Sequence, residues 1–130
     1  MKPRVLVSAP CEDVGQPALA ALGDAGFAVH RCPGATALLE SVMQDRPAAV
    51  IVSVSHPYGN GELQIFRLLR RVATDLPLVV ISKGDSIPAE RALRALDPAY
   101  LALAPVEPGE LVEAVRGALA RARLRLAPGS

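Results

Sequence analysis

The stretch PAAVIVSVSHPYGNG, residues 47–61, decides the fold. Ala48 to Val52 run without a break into Ser53, Val54 follows, and a segment of Pro, Gly and Asn comes next. A short continuous apolar run bounded by turn residues predicts a strand buried on both faces, the kind found in parallel sheets. Open α/β sheets place their sites beyond the C-terminal ends of such strands. Ser53 therefore marks where function is expected.

Working outward, the same pattern recurs. Arg4–Ser8 (RVLVS), Phe27–Arg31 (FAVHR), Ala48–Val54, Leu76–Ser82 (LPLVVIS) and Tyr100–Leu103 read as five strands. Between them the apolar spacing is helical. Ala18–Ala25 has Pro17 for its first turn and Gly26 for its stop. Ala35–Gln44 follows a Pro33-Gly34 break and carries Leu38, Leu39, Val42 and Met43 on one side. Glu62–Ala73 starts after Gly61, with Leu63, Ile65, Phe66, Leu69 and Val72 predicted inward and Arg67, Arg70 and Arg71 toward solvent. Pro88–Leu96 is a short helix exposing Arg91 and Arg94, and Glu107–Leu124 is the last and longest. Strands alternating with helices across short turns imply a parallel sheet covered on both faces. Right-handed crossovers favour the flavodoxin-like (βα)5 three-layer sandwich, with strand order 2-1-3-4-5. One domain over residues 1–125 is expected, with 126–130 as a frayed tail or the start of a linker.

Composition narrows the function. The 130 residues suffice for one domain with a full core. Although 51% are apolar, no run reaches ~18 residues, so no membrane span is predicted. Met1-Lys2-Pro3-Arg4 leads into a strand-like segment with no apolar h-region or small-residue cleavage site, so no signal peptide is expected. A net charge of +1 gives no footprint for nucleic acid or anionic lipid. Cys11 and Cys32 form no CxxC pair, and two His without clustered ligands offer no metal site. Two reduced thiols in a cytoplasmic protein are expected. The segment SAPCEDVGQ after the first strand lacks both a GxGxxG and a Gly-rich phosphate cradle. No Ser-His-Asp or Cys-His spacing supports hydrolysis. The chain reads as neither an enzyme nor a cofactor protein. The wealth of Ala, Arg, Pro and Leu reflects a biased genome.

The residues at the predicted strand ends are Ala9, Pro10 and Cys11, then Ser53, then Ser82 and Lys83, then Ala104 and Pro105. With them RVLVSAP (4–10), AGFAVHRCPGATALLESVMQDRPAAVIVS (25–53), LPLVVIS (76–82) and YLALAPVEPGELVEAVRGAL (100–119) resemble the receiver domain of bacterial response regulators, across residues 4 to about 122. The resemblance places that family's two metal-binding acids on Ala9 and Pro10 and its phosphoryl-accepting Asp on Ser53. Its switch hydroxyl falls on Ser82, which is kept. Its Lys falls on Ala104, with the Pro105 of a cis-type bond kept, and its switch aromatic falls on Leu101, beside Tyr100. Ala9 and Pro10 offer no side-chain oxygen to Mg²⁺. A serine without metal or base is a poor nucleophile and cannot form an acyl phosphate. Losing the Lys removes the cation that would neutralise phosphoryl oxygens. The resemblance therefore implies a pseudo-receiver, the scaffold of a two-component phosphorelay module without its switch.

Two functions fit that reading. One is phosphorylation-independent signalling through a protein partner or homodimer. It would use the face of the fourth helix, fifth strand and fifth helix, with Arg91, Arg94, Tyr100, Leu101, Glu110, Glu113 and Arg116, whose charges fit either cross-subunit ion pairs or a solvated helix face. The other is a small-molecule sensor, with the vacated acidic pocket (Ala9, Pro10, Ser53, Ser82, Ala104) made apolar enough for a ligand. Glu12 and Asp13 are expected in the first turn of the first helix, where acids favour the dipole by ~0.3–1 kcal/mol. Asp85 is a similar first-turn acid. His56 and Tyr58 read as loop residues, and His30 as an edge residue of the second strand. Ser53, at a strand end, is poorly accessible to a kinase.

Overall fold

A computed structural model describes residues 2–9, 13–53, 61–84 and 87–126. Expectations on Pro10, Cys11, Glu12, Val54, His56, Tyr58, Asp85 and residues 127–130 lie outside the described residues.

Five strands alternate with five helices: β1 Arg4–Ser8, α1 Gln16–Asp24, β2 Ala28–Arg31, α2 Ala35–Gln44, β3 Ala49–Ser53, α3 Glu62–Val72, β4 Leu78–Ser82, α4 Ile87–Arg94, β5 Tyr100–Leu103 and α5 Pro108–Leu126. All pairings are parallel, in the order β2-β1-β3-β4-β5. β3 and β4 are buried at every position, as a central strand covered on both faces must be. The outer strands β2 and β5 are largely half-buried or exposed, with His30 exposed on β2 as an edge residue.

Two apolar clusters flank the sheet. On one face α1 and α5 pack together over Val5, Val7, Ile51, Val79 and Ile81. On the other, Leu38 and Val42 of α2, Leu63, Phe66 and Leu69 of α3 and Leu93 beside Leu96 cover Leu6, Val50, Val52 and Val80. The alternation of the strand residues between the two clusters is the period-2 geometry of a pleated strand. Gly26 takes φ +99° just after α1, where the chain reverses into β2, a left-handed conformation that side chains with a Cβ resist.

Three expectations about the helices are corrected. Met43 and Val72, predicted inward, are 68% and 52% exposed, because each stands more than 90° from the buried centre of its own helix. Arg70, predicted to face solvent, is half-buried. Its Nε donates to the Leu96 carbonyl (2.8 Å), Nη1 to those of Ala73 (3.3 Å), Thr74 (3.1 Å) and Leu76 (2.9 Å), and Nη2 to that of Asp97 (3.3 Å). One guanidinium thus satisfies carbonyls that the ends of α3 and α4 leave over. Arg70→Met, which keeps the stem, is expected to cost about 1–2 kcal/mol in urea unfolding. An unchanged midpoint would show that water replaces the guanidinium without loss. Finally, α5 continues through Leu126, beyond the predicted end at Leu124.

Candidate functional site

The strand register brings the strand ends together. Ser8 is level with Val52, Ser53 with Ile81, and Ser82 with Leu103, so Ala9, Ser53, Ser82 and Ala104 share one edge of the sheet. Ala104 donates its N–H to the Ser82 carbonyl (2.8 Å) and joins Pro105 through a cis peptide bond, the bond type expected there. Ser82 Oγ accepts the N–H of Gly84 (3.1 Å), which closes the turn after β4. Gly84 sits at φ +73°, and a Cβ there would lie 3.6 Å from Leu103, so the turn is suited to glycine on backbone grounds.

Asp13 occupies this edge, against expectation. α1 begins at Gln16 behind a Gly15 cap, and no acid lies in its first turn. Asp13 stands before the helix, 3% exposed, and its carboxylate accepts a hydrogen bond from the hydroxyl of Ser53, itself 1% exposed. The backbone carbonyl of Asp13 also accepts the N–H of Val106, just after the cis bond (3.3 Å). From β2, Arg31 Nη2 donates to the carbonyls of Ala9 (2.9 Å) and Val14 (3.0 Å), holding the connection after β1 at both ends. Asp13 thereby links the ends of β3 and β5. Among the described residues no buried side-chain polar atom lacks a partner.

The sequence carried a signal for this. Pro17 is fit for the first or second helical position, which sets the cap at Gly15 and leaves Asp13 outside the helix. Val14, fully buried, then turns the chain inward at that point. With a buried carboxylate beside Ser53, the described part of this edge is more polar than the ligand-sensing alternative expects. Among the described residues the donor set does not fit Mg²⁺. Ala9 has no side-chain oxygen, the Asp13 carboxylate is engaged by Ser53, and no three His, Cys, Asp or Glu gather among the described residues. Cys32 is a free, half-buried thiol.

The residues named for the interaction face lie on α4, β5 and α5. Arg91 and Arg94 are exposed on α4. Tyr100, on β5, donates its hydroxyl to Glu110 Oε2 of α5 (2.8 Å), and that carboxylate holds the phenol pKa above its ordinary value. Leu101 is half-buried against the α2–α4 cluster. Ile87 and Leu103 are exposed apolar residues. Arg94 pairs with Glu90 (3.2 Å) and Arg116 with Glu113 (3.2 Å), each along its own helix, as on a solvated charged face. A cross-subunit pair would exchange one exposed pair for another, each contributing only ~0–1 kcal/mol, so these charges add little to affinity.

The strand order and the two covered faces define a doubly wound α/β protein of the flavodoxin-like class. No family model matches the chain. Among curated proteins it is similar to the response regulator MprA of Mycobacterium ulcerans (strain Agy99), 31% identical over 87 residues, which is 67% of this chain and 37% of that protein. The protein of the same name from Mycobacterium leprae (strain TN) is 36% identical over 62 residues, 48% of this chain and 27% of the relative. The matches thus span about a third of those relatives' length. Among solved structures, a CheY-like response regulator receiver domain protein from Methanospirillum hungatei JF-1 superposes with a TM-score of 0.83 over 96% of this chain and 99% of that one, at 12% identity. The chemotaxis response regulator CheY4 of Vibrio cholerae gives 0.74 over 91% and 99%, at 17% identity. Relatives and fold together support a response-regulator receiver domain of the two-component type. No helix among the described residues is long and apolar enough to cross a membrane.

Proposed function

We propose that this chain is a phosphorylation-independent receiver domain, a cytoplasmic signalling module that acts by protein contact through the face formed by α4, β5 and α5. The observation that carries this reading is the hydrogen bond from Ser53 to Asp13. Phosphoryl transfer in the family the chain resembles needs a free carboxylate at the end of β3, metal-binding acids after β1 and a Lys after β5. Here those places hold Ser53, Ala9 and Ala104. The carboxylate that is present, Asp13, comes from farther along the connection after β1 and is held by a hydroxyl. In principle Asp13 could take the Ser53 proton, but with both residues at least 97% buried no phosphoryl donor reaches Oγ in this conformation.

A receiver responds when phosphorylation shifts an equilibrium between two conformations. With no group here to accept the phosphoryl, one conformation is held constitutively. Regulation then falls to the partner or to the amount of protein. On α4 and β5 the proposed partner face has Ile87, Tyr100 and Leu103 exposed, together with Arg91.

Amide chemical shifts recorded during addition of Mg²⁺, and then of beryllofluoride as a mimic of a phosphorylated aspartate, test this reading. No change at Ala9, Asp13, Ser53 and Ala104 is expected. A saturable shift confined to those residues would mean that Asp13 serves as acceptor or metal ligand, and phosphorylation independence would fall.

A further inference from the structure

We propose that the α2–α3 face is a contact surface for a second copy of this chain. Leu68 and Val72, one turn apart on α3, are 47% and 52% exposed, and Met43 on α2 is exposed as well. Helical geometry puts the three around one groove. Arg70 marks the flank of α3 that faces α4, since its guanidinium reaches the carbonyls of Leu96 and Asp97. Ile65 and Val72 lie on the opposite flank, toward α2. α2 runs parallel to α3 in this topology, so the same screw sense turns Leu39 and Met43 toward α3.

The levels of the two helices are fixed twice over. Arg46, just after α2, pairs with Asp75, just after α3, an offset of 29 positions (75 less 46). The strands that follow match Val50 with Leu78, an offset of 28 (78 less 50). Met43 is therefore level with Val72. Glu40 is level with Leu69, between Arg67 and Arg71.

Exposed apolar residues alone would not choose an occupant. The charges do. Arg67 and Arg71 are exposed beside Leu68 and meet no carboxylate among the described residues, Arg67 reaching only Gln64 (3.5 Å). Glu40 is exposed on α2 and meets no cation there. A two-fold axis running along the groove sets α2 of each copy over α3 of the other and preserves the levels. Each Glu40 then faces Arg67 and Arg71 of the partner subunit while Met43, Leu68 and Val72 cover one another, an isologous contact. An acidic helix would satisfy only the arginines and a basic one only the glutamate. A second copy satisfies both. The surface uses no residue of the α4–β5–α5 face or of the strand-end site, so it stands independently of the function proposed above.

Sedimentation equilibrium of the whole chain tests this from micromolar to near-millimolar concentration. The mass is expected to rise from one chain to two. Leu68→Glu should hold it at one chain throughout. Glu40→Arg should weaken association about tenfold, because each dimer loses Glu40 contacts of exposed-pair strength on both sides of the two-fold. Adding Arg67→Glu and Arg71→Glu to Glu40→Arg should restore it, a rescue that a general loss of structure cannot give. All these positions are exposed, so the fold should survive, as circular dichroism will show. A chain that stays monomeric at every concentration overturns the proposal, as does a dimer indifferent to Leu68→Glu or one dissociated by Leu103→Glu instead. Monomer combined with saturable binding of an acidic amphipathic peptide at α3 also overturns it, in favour of a different occupant.

Discussion

Phe66→Ala is expected to lower the unfolding free energy by about 3–5 kcal/mol. Phe66 is fully enclosed and is the largest side chain in that state. It belongs to the cluster in which α2, α3 and α4 cover the sheet, with Val50, Val52, Val80 and Leu78 from the strands. Loss of its ring leaves a cavity, and the residues around it are poorly placed to fill that space. The strand valines are stiff at χ1, and Met43, the adaptable side chain of α2, lies outside the core. Among the described residues no other ring belongs to that cluster to shift into the gap. Domains of this size are stable by about 5–15 kcal/mol in total, so roughly a fifth or more of the margin would go. Urea unfolding followed by far-ultraviolet circular dichroism measures it, with Phe66→Leu expected to cost less than about 1.5 kcal/mol. A loss below that figure for Phe66→Ala would mean that α3 settles onto the sheet and closes the cavity, leaving the packing looser than the burial implies.

The fold was legible because it depends on short-period patterns. Unbroken runs such as AVIVS and LVVIS can be buried only as central strands of a covered sheet, and helical spacing filled every gap between them. Strand order then followed from the handedness of crossovers. The reading failed where one residue on a helix had two uses. An apolar residue at the margin of a helical face, such as Val72 or Met43, has the same letter whether it packs inward or lines an outer groove. Its angle to the buried centre decides, and that centre is known only once the core is built. Arg70 was hidden for a similar reason, because carbonyls left over at helix ends have no signature in side-chain identity.

The candidate site was legible in what it lacks and hidden in what it holds. Alignment along β1, β3 and β5 located Ala9, Ser53 and Ala104. The carboxylate that matters comes from a segment outside every regular element and meets Ser53 from 40 positions away in the chain. Pairing by sequence neighbourhood could not reach it, although the position of Pro17 had already excluded Asp13 from the helix.

That pair sets the second large effect. Ser53→Ala removes the donor and leaves a buried carboxylate without the hydroxyl that serves it, a loss of about 1–3 kcal/mol with the charged partner favouring the upper end. Asp13→Ala leaves a buried hydroxyl unsatisfied and should cost a similar amount. The double variant should cost less than the sum, with a coupling of about 0.5–3 kcal/mol, because neither orphan remains. Additive costs would show that water serves both groups and that the bond contributes nothing. Ser53→Asp is the sharper case, since it restores the acceptor side chain of the resembled family and sets two buried carboxyls side by side. Like charges in one site raise a carboxyl pKa in the folded state. A folded pKa raised above the unfolded value gives stability that is intact below about pH 4 and lost as pH rises through the folded pKa. Ser53→Asp should therefore be less stable than the parent at neutral pH and recover relative to it on acidification. If it is as stable as the parent at pH 7, Asp13 has swung away from β3. In that case the Asp13 contact is what keeps the strand-end site closed, and a single substitution reopens it.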